Sequence, residues 1–404
     1  MPGQKKRKTI KQRRAKRETT RSKRPLLKRV LMPLLSLLAA VILVTFFADT
    51  DRYRSVEKAI LDFQIRHNMP AEESNVAIVE VTDEDYYSVF GGQSPLDQKK
   101  LSQLIGAIAK GQPCVIGVDI STYDPPFKEM EIPEWWPPVI WVRDVVEDSL
   151  GANDKPAAKD VLGGRDAAFN EKAGLAPLIA DDRGVVRRYR RMIETTQGRL
   201  PSFPWAVYRQ SKQSCPGIAA PDLEESTSAL TINYSRGQEG IRRTRIPASH
   251  VLELADGPEE LEKEIKGKIV LLGGTYAGQD LHDTPMGRTP GVVNMANTIE
   301  TELSGGGWPP PPLFLMVFFI LFEGVAIVLL FDEKRSLKKA LLLSVPMILI
   351  VALVCSLAAY GSLVYFPYFA LIMVGVLIYE LIDRVKGYFK GLLKRGWVQE
   401  KNDL

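Results

Sequence analysis

The chain is poor in the residues that most often hold metals or carry catalysis: its 404 residues contain three histidines and three cysteines. No Cys-x-x-Cys or Cys/His spacing is present, which removes the common zinc and redox frameworks. No nucleophile elbow, HExxH, kinase set or paired-glutamate pattern occurs, so catalysis is disfavoured and no catalytic residue, metal or cofactor is assigned. Cys355 lies in an apolar run, while Cys114 and Cys215 fall in the central region. A disulfide between the latter two is permitted but not indicated.

Acidic residues are nearly missing from the N-terminus. Lys and Arg recur from Lys5 to Arg29, opposed only by Glu18. Self-repulsion and the lack of apolar residues predict a disordered arm over residues 1–29. No aromatic side chains interleave with the charges, which disfavours a nucleic-acid arm. The arm instead abuts an apolar segment, as a cytoplasmic tether against anionic lipid does.

Four long stretches are nearly or wholly without charge, which the overall hydrophobic share of 45% conceals. Residues 30–48 read VLMPLLSLLAAVILVTFFA, long enough as a helix to cross a bilayer. Thr45-Phe46-Phe47-Ala48-Asp49 makes a poor cleavage site, so this segment reads as an uncleaved anchor. Residues 313–331, 340–360 and 363–382 supply three further predicted spans. Basic residues fill the loop between the second and third spans and the tail 383–404, whereas the turn around Gly361 is uncharged. The positive-inside rule then places both termini in the cytoplasm of a multi-pass inner (plasma) membrane protein and residues 49–308 outside. Glu323, mid-span, is costly there unless it meets a helix partner, which marks it as a candidate for membrane coupling or a simple interhelical hydrogen bond.

Between Asp49 and Trp308, short β-branched runs alternate with amphipathic stretches. Val76 to Val81 reads as a strand, Gln98 to Lys110 as a helix, and Val115 to Val118 as a strand, together a βαβ unit with parallel, neighbouring strands. Val185 to Glu194 and Ala229 to Tyr234 are predicted strands, and Ser202 to Gln210 a helix. Lys268 to Leu272 reads as a strand and Gly291 to Leu303 as a helix. Weak periodicity makes Asn153 to Ala176 a surface excursion. The predicted class is α/β, with α+β possible, around a largely buried central sheet, plus four transmembrane helices.

Five segments occur in a recognisable order: AIVEVTDED from Ala77, PCVIGVDIS from Pro113, DDRGVVRRYR from Asp181, GKIVLLGGTYAGQDLHDTPMG from Gly267 and PGVVNMAN from Pro290. With one span before and three after, they make the outer domain resemble CHASE2, an extracytoplasmic sensory domain of bacterial receptors. The segment that in this family usually resembles Trp-Pro-Arg is here Gly91 to Asp97. Family members usually continue into a cytoplasmic kinase or nucleotide cyclase, so the short tail implies a separate output protein, and the resemblance implies a homodimer.

Asp83, Asp119 and Asp280 follow strands and could converge at the carboxyl edge of a parallel sheet, where open α/β sheets bind ligands. Asp is also a common cap or turn former at such places. His282 lies near Asp280 but has no ligand spacing to His67 or His250, so no metal is assigned. Gly273 to Gly278 could cradle an anion or simply turn; without a following Lys-Ser/Thr it is no P-loop. Alternation puts Arg188 and Arg190 on one face of a strand and Arg187 and Arg191 on the other, with a solvated, salt-paired face as the default.

The expected function is a signal-input subunit that senses a small ligand or envelope protein and passes the change through its membrane helices. The alternative is a structural docking subunit of an envelope complex. Trp135-Trp136-Pro137-Pro138 would then be an aromatic anchor and Trp308 with Pro309 to Pro312 a stiff spacer, unless both are ordinary packing. A third reading, an envelope enzyme using Asp83, Asp119 and Asp280, has no motif behind it.

Overall fold

Apolar runs of five or six residues can be buried on both faces only inside a layered body, and the computed structural model of the protein shows one. The structure describes residues 58, 59, 62, 65, 73–146, 155–176, 178–234, 241–255, 257–278 and 280–307. The chain divides into two units, Met1–Ile60 with Pro310–Leu404, and Leu61–Pro309. The second unit carries the fold. The basic arm 1–29, the predicted spans 30–48, 313–331, 340–360 and 363–382, Glu323, Trp308 and the tail 383–404 lie outside the described residues. No helix among the described residues is long and apolar enough to cross a membrane.

In chain order the elements are β1 (Val76–Val81), α1 (Asp83–Ser88), α2 (Gln98–Lys110), β2 (Val115–Asp119), β3 (Val139–Arg143), α3 (Ala167–Glu171) and β4 (Ala173–Leu175). Next come β5 (Ile179–Ala180), β6 (Val186–Tyr189), β7 (Met192–Thr195), β8 (Gly198–Pro201), α4 (Phe203–Ser214) and β9 (Leu230–Thr231). The domain closes with β10 (Arg245–Pro247), α5 (Ala248–Leu254), α6 (Pro258–Ile265), β11 (Ile269–Gly274), β12 (Leu281–Thr284), β13 (Gly287–Pro290) and α7 (Gly291–Leu303).

Six strands form a parallel sheet in the order β10-β1-β11-β2-β3-β4. Alternation along each strand sorts the side chains between two layers. Ala77, Val79 and Val81, with Val270, Leu272, Ile116 and Val118, face the layer of α2, α5 and α6. Val76, Ile78, Ile269, Leu271 and Val115 face α4 and α7. β1 and β2 are parallel as expected, but they are not neighbours, because β11 lies between them. The reason is in β11 itself: Ile269 to Leu272 are all fully buried, and an unbroken apolar run is satisfied only with strands on both edges and helices on both faces.

Helix α2 spans Gln98–Lys110 as predicted, started by the Asp97 side chain, which accepts from the amides of Lys99 at 2.9 Å and Lys100 at 3.0 Å. Helix α4 begins at the Ser202 cap and continues past Gln210 to Ser214. The predicted strand over 185–194 is two strands in different sheets. β6 pairs with β5 and β9, whereas β7 forms a hairpin with β8, and Arg190 and Arg191 lie between the two strands. Within 229–234 only Leu230–Thr231 is strand. The predicted surface excursion is corrected too, since its end is the sheet strand β4, with all three residues buried. Gly174 permits this, because a Cβ there would stand 2.6 Å from the Phe203 Cα of α4.

Cys114 and Cys215 form a disulfide, which fastens the end of α4 to the start of β2 across a sequence separation of 101.

Candidate functional site at the carboxyl edge

All strands of the parallel sheet end on one edge, and the last row facing α7 is polar. Glu80 on β1, Gly273 on β11 and Asp119 on β2 stand in register there. Gly273 leaves space for α7, since a Cβ would come within 2.6 Å of Val292. The Asp280 carboxylate packs in the same way on Gly291, the first residue of α7, where a Cβ would stand 2.0 Å from its Oδ2. Asp119 and Asp280 thus flank the same helix start.

The β12–β13 hairpin leads into that helix. The Gly291 amide donates to the Asp280 carbonyl at 2.9 Å, closing its base. His282 pairs through Nε2 with Asp280 Oδ1 at 2.8 Å. Its register partner Thr289 donates to Asn294 Oδ1 at 2.6 Å, which fastens the hairpin to the first turns of α7. The Nδ2 of the fully buried Asn294 has no partner among the described residues.

The charges here oppose one another. Burial, then the carboxylates of Asp280 and Asp144, push Asp119 up to about 7, against a smaller opposite pull from His282. The hydrogen bond to Asp280 raises His282, with burial working against it and Asp280 and Asp119 adding to it. Asp144 follows β3 and accepts a short hydrogen bond from Ser121, which follows β2. Among the described residues no three of His, Cys, Asp and Glu are arranged to hold a metal ion.

The sequence-based site residues separate accordingly. Asp119, Asp280 and His282 come together, joined by Asp144 and Ser121. Asp83 is exposed in the first turn of α1, and it is not among the groups that perturb Asp119. Asp85, rather than Asp83, has the capping role. Its fully buried carboxylate accepts from the Thr82 amide at 3.0 Å and, from α5, from the amides of Ala248 at 3.2 Å and Ser249 at 3.0 Å. Burial raises its pKa, but the hydrogen bonds from Ser249 and Thr82 outweigh that and hold it below the usual carboxylate range. The Gly-rich stretch is a strand end followed by the turn Tyr276–Gly278, and Tyr276 stacks on Tyr86 at 4.4 Å.

At the opposite end of α7 lies a network that sequence reasoning missed. Glu302 is fully buried and takes Arg191 in a bidentate pair, Nε and Nη2 each at 2.8 Å, while Tyr189 donates to it at 2.5 Å. Arg191 also lies 4.9 Å over the Trp205 ring. Gly307 donates its amide to the Tyr189 oxygen at 3.1 Å, so the chain leaving the domain is held at this point. Two residues earlier, Glu300 accepts from the Ser74 hydroxyl at 2.7 Å and the amides of Asn75 at 2.7 Å and Val76 at 3.0 Å, holding the chain that enters β1. The available signal was Glu300 and Glu302 as the only charges of the predicted helix Gly291 to Leu303.

The arginine alternation is as expected, with Arg187 and Arg191 inside and Arg188 and Arg190 outside. The solvated face is corrected for the inner pair: Arg187 is buried and grips Asp62 through two bonds of 2.8 Å and Asp181 through a shorter one.

Of the five segments that carried the resemblance, four build this parallel sheet with the hairpin and helix that close it, and the fifth, DDRGVVRRYR, forms β6 and the turn before it. The CHASE2 domain model matches residues 36–331. The chain belongs to the CHASE2 family. CHASE2 is an extracytoplasmic sensory domain, and the disulfide suits an oxidising compartment. No curated protein and no solved structure matches the chain.

Proposed function

We infer that this protein is a membrane-anchored sensor subunit whose input acts at the carboxyl edge around Asp119, Asp280 and His282, and whose output leaves through both ends of the outer domain. The observation that carries this reading is the placement of α7. Its first residue abuts Asp280, and its last turn holds the entering chain through Glu300 and the departing chain through Glu302 and Tyr189. A stimulus that favours one position of α7 therefore acts on both connections at once. The membrane segments then pass the change to a separate output protein, with Glu323 as the coupling contact and a homodimer as the assembly.

The test is purification of the full chain from its native membrane in mild detergent. A membrane or cytoplasmic protein recovered in fixed stoichiometry is the expected result, with the ratio lowered in Glu323→Gln. A chain recovered alone defeats the separate output, and unchanged association and signalling in Glu323→Gln defeat the coupling contact.

One observation favours the docking alternative. Trp135 is 59% exposed and stands edge-on to the buried Trp136. Trp135→Ala that releases a co-purifying envelope protein, while the response to stimulus persists, assigns docking to this loop and sensing to the edge.

A further inference from the structure

The start of α7 is held on one side by an acid–histidine pair and approached from the sheet edge by a second carboxylate. Asp280 touches the helix through Gly291 and its carboxylate is bridged by His282, which belongs to the hairpin that runs into the helix. On the other side of that start stands Asp119, whose register partner Gly273 packs on Val292. We propose that the Asp280–His282 pair, opposed by Asp119, is a proton-operated latch on α7, so that acidification outside the membrane is a stimulus this domain reads. The inference rests on the function proposed above and names the input of that same site.

Each charge state has a definite consequence. With His282 protonated, the pair is an ion pair at the hairpin base, and a proton on Asp119 removes its repulsion of Asp280. As pH rises, His282 loses its charge and Asp119 gains one, so Asp119, Asp144 and Asp280 face each other without a cation between them. Both changes loosen the hairpin and the first turn of α7. The shifts have the required direction, since His282 is raised and Asp119 is pushed up to about 7.

The other charges nearby do not compensate. On the hairpin, Asp283 and Arg288 offset each other at 3.6 Å. The first turn of α7, Gly291 to Asn294, carries no charge. Val185 bridges Asp283 from the turn before β6, which contributes Asp181, Asp182 and Arg183, and Asp181 is engaged by Arg187. Arg143, at the end of β3, is directed to the Lys159 carbonyl at 2.9 Å and to Asp160 at 3.6 Å. Glu80 is paired with Arg245.

The test uses the full chain in nanodiscs of phosphatidylethanolamine and phosphatidylglycerol. Hydrogen exchange, corrected for its intrinsic pH dependence, is followed from about pH 5.5 to about pH 8, the range of histidine titration. Protection of residues 281–299 is expected to fall about tenfold as pH rises. H282Q and D119N, shown by circular dichroism to be folded, are expected to flatten the response. Histidine-selective NMR should show His282 raised above the ordinary histidine value and lowered again in D280N. A flat response in the wild type, an equal response in H282Q, or a His282 titration unmoved by D280N overturns the latch. A response of the hairpin without one at residues 73–76 and 304–307 supports the latch and defeats transmission through α7. A chain-end response that survives H282Q arises at Glu300 and counts against the latch.

Discussion

The two ends of α7 hold the same kinds of groups and treat them in opposite ways. At its C-terminal end Glu302 is sealed from water, and an arginine and a tyrosine saturate it. At its N-terminal end Asp280 is exposed and bonded to a histidine, while Asp119 is half-buried and unrelieved by any hydrogen bond from it. A satisfied buried ion pair resists displacement, because breaking it strands a charge. Like charges at a half-open edge respond instead to a single proton. One end of the helix is thus built to hold and the other to respond.

The largest blow to this contrast should come from Arg191→Ala, which leaves Glu302 buried without its cation and should cost about 3–5 kcal/mol in chemical denaturation. Arg188→Ala, on the exposed face of the same segment, should change stability by less than about 0.5 kcal/mol. Equal effects would abolish the distinction between the two arginine pairs. The double change Arg191→Met with Glu302→Leu should restore most of the loss, since no charge is then left stranded.

Next in size is the disulfide. Cys114→Ser with Cys215→Ser should lower stability by about 2–5 kcal/mol in the same titration, given the long loop it closes. The pH dependence should be unaltered, because the bridge lies apart from the titrating edge.

Asp85→Ala removes the acceptor shared by two helix starts and should cost about 1–2 kcal/mol, read by thermal unfolding near neutral pH. The folded-state pKa of Asp85 is lowered, so its contribution is present above the ordinary carboxylate value and is lost as pH falls through the folded value. Wild type and variant should therefore converge on acidification.

Asp119→Asn should have a smaller effect than Asp85→Ala and the opposite sign. The folded-state pKa is raised to about 7, so stability is intact below the ordinary carboxylate range and declines as pH rises through about 7. The variant should gain about 1 kcal/mol above that pH, since it removes the burial cost of the charge and its repulsion, both tempered by solvent at the edge, and nothing in acid. A variant less stable at alkaline pH would show that Asp119 is bonded there rather than repelled.

The limits of β1, α2 and α7 were legible because β alternation, an Asp cap and helical periodicity are each local. The sequence also determined the parallel class, the division of the arginines between two faces and the segments that carry the family. It brought in His282 only as a sequence neighbour of Asp280, and drew Asp119 and Asp280 together because each stands at or after a strand end of one sheet. It included Asp83 for the same reason, although position after a strand does not say which way a helix then turns.

Only the tertiary structure decided that β11 enters between β1 and β2, since strand order depends on which edges need covering and not on any local pattern. Only it paired Cys114 with Cys215, gave Arg191 to Glu302 across 111 residues, and set both chain ends on the last turn of α7. A sequence shows which groups need partners. Which partner each one takes depends on distances that exist only once the layers have packed.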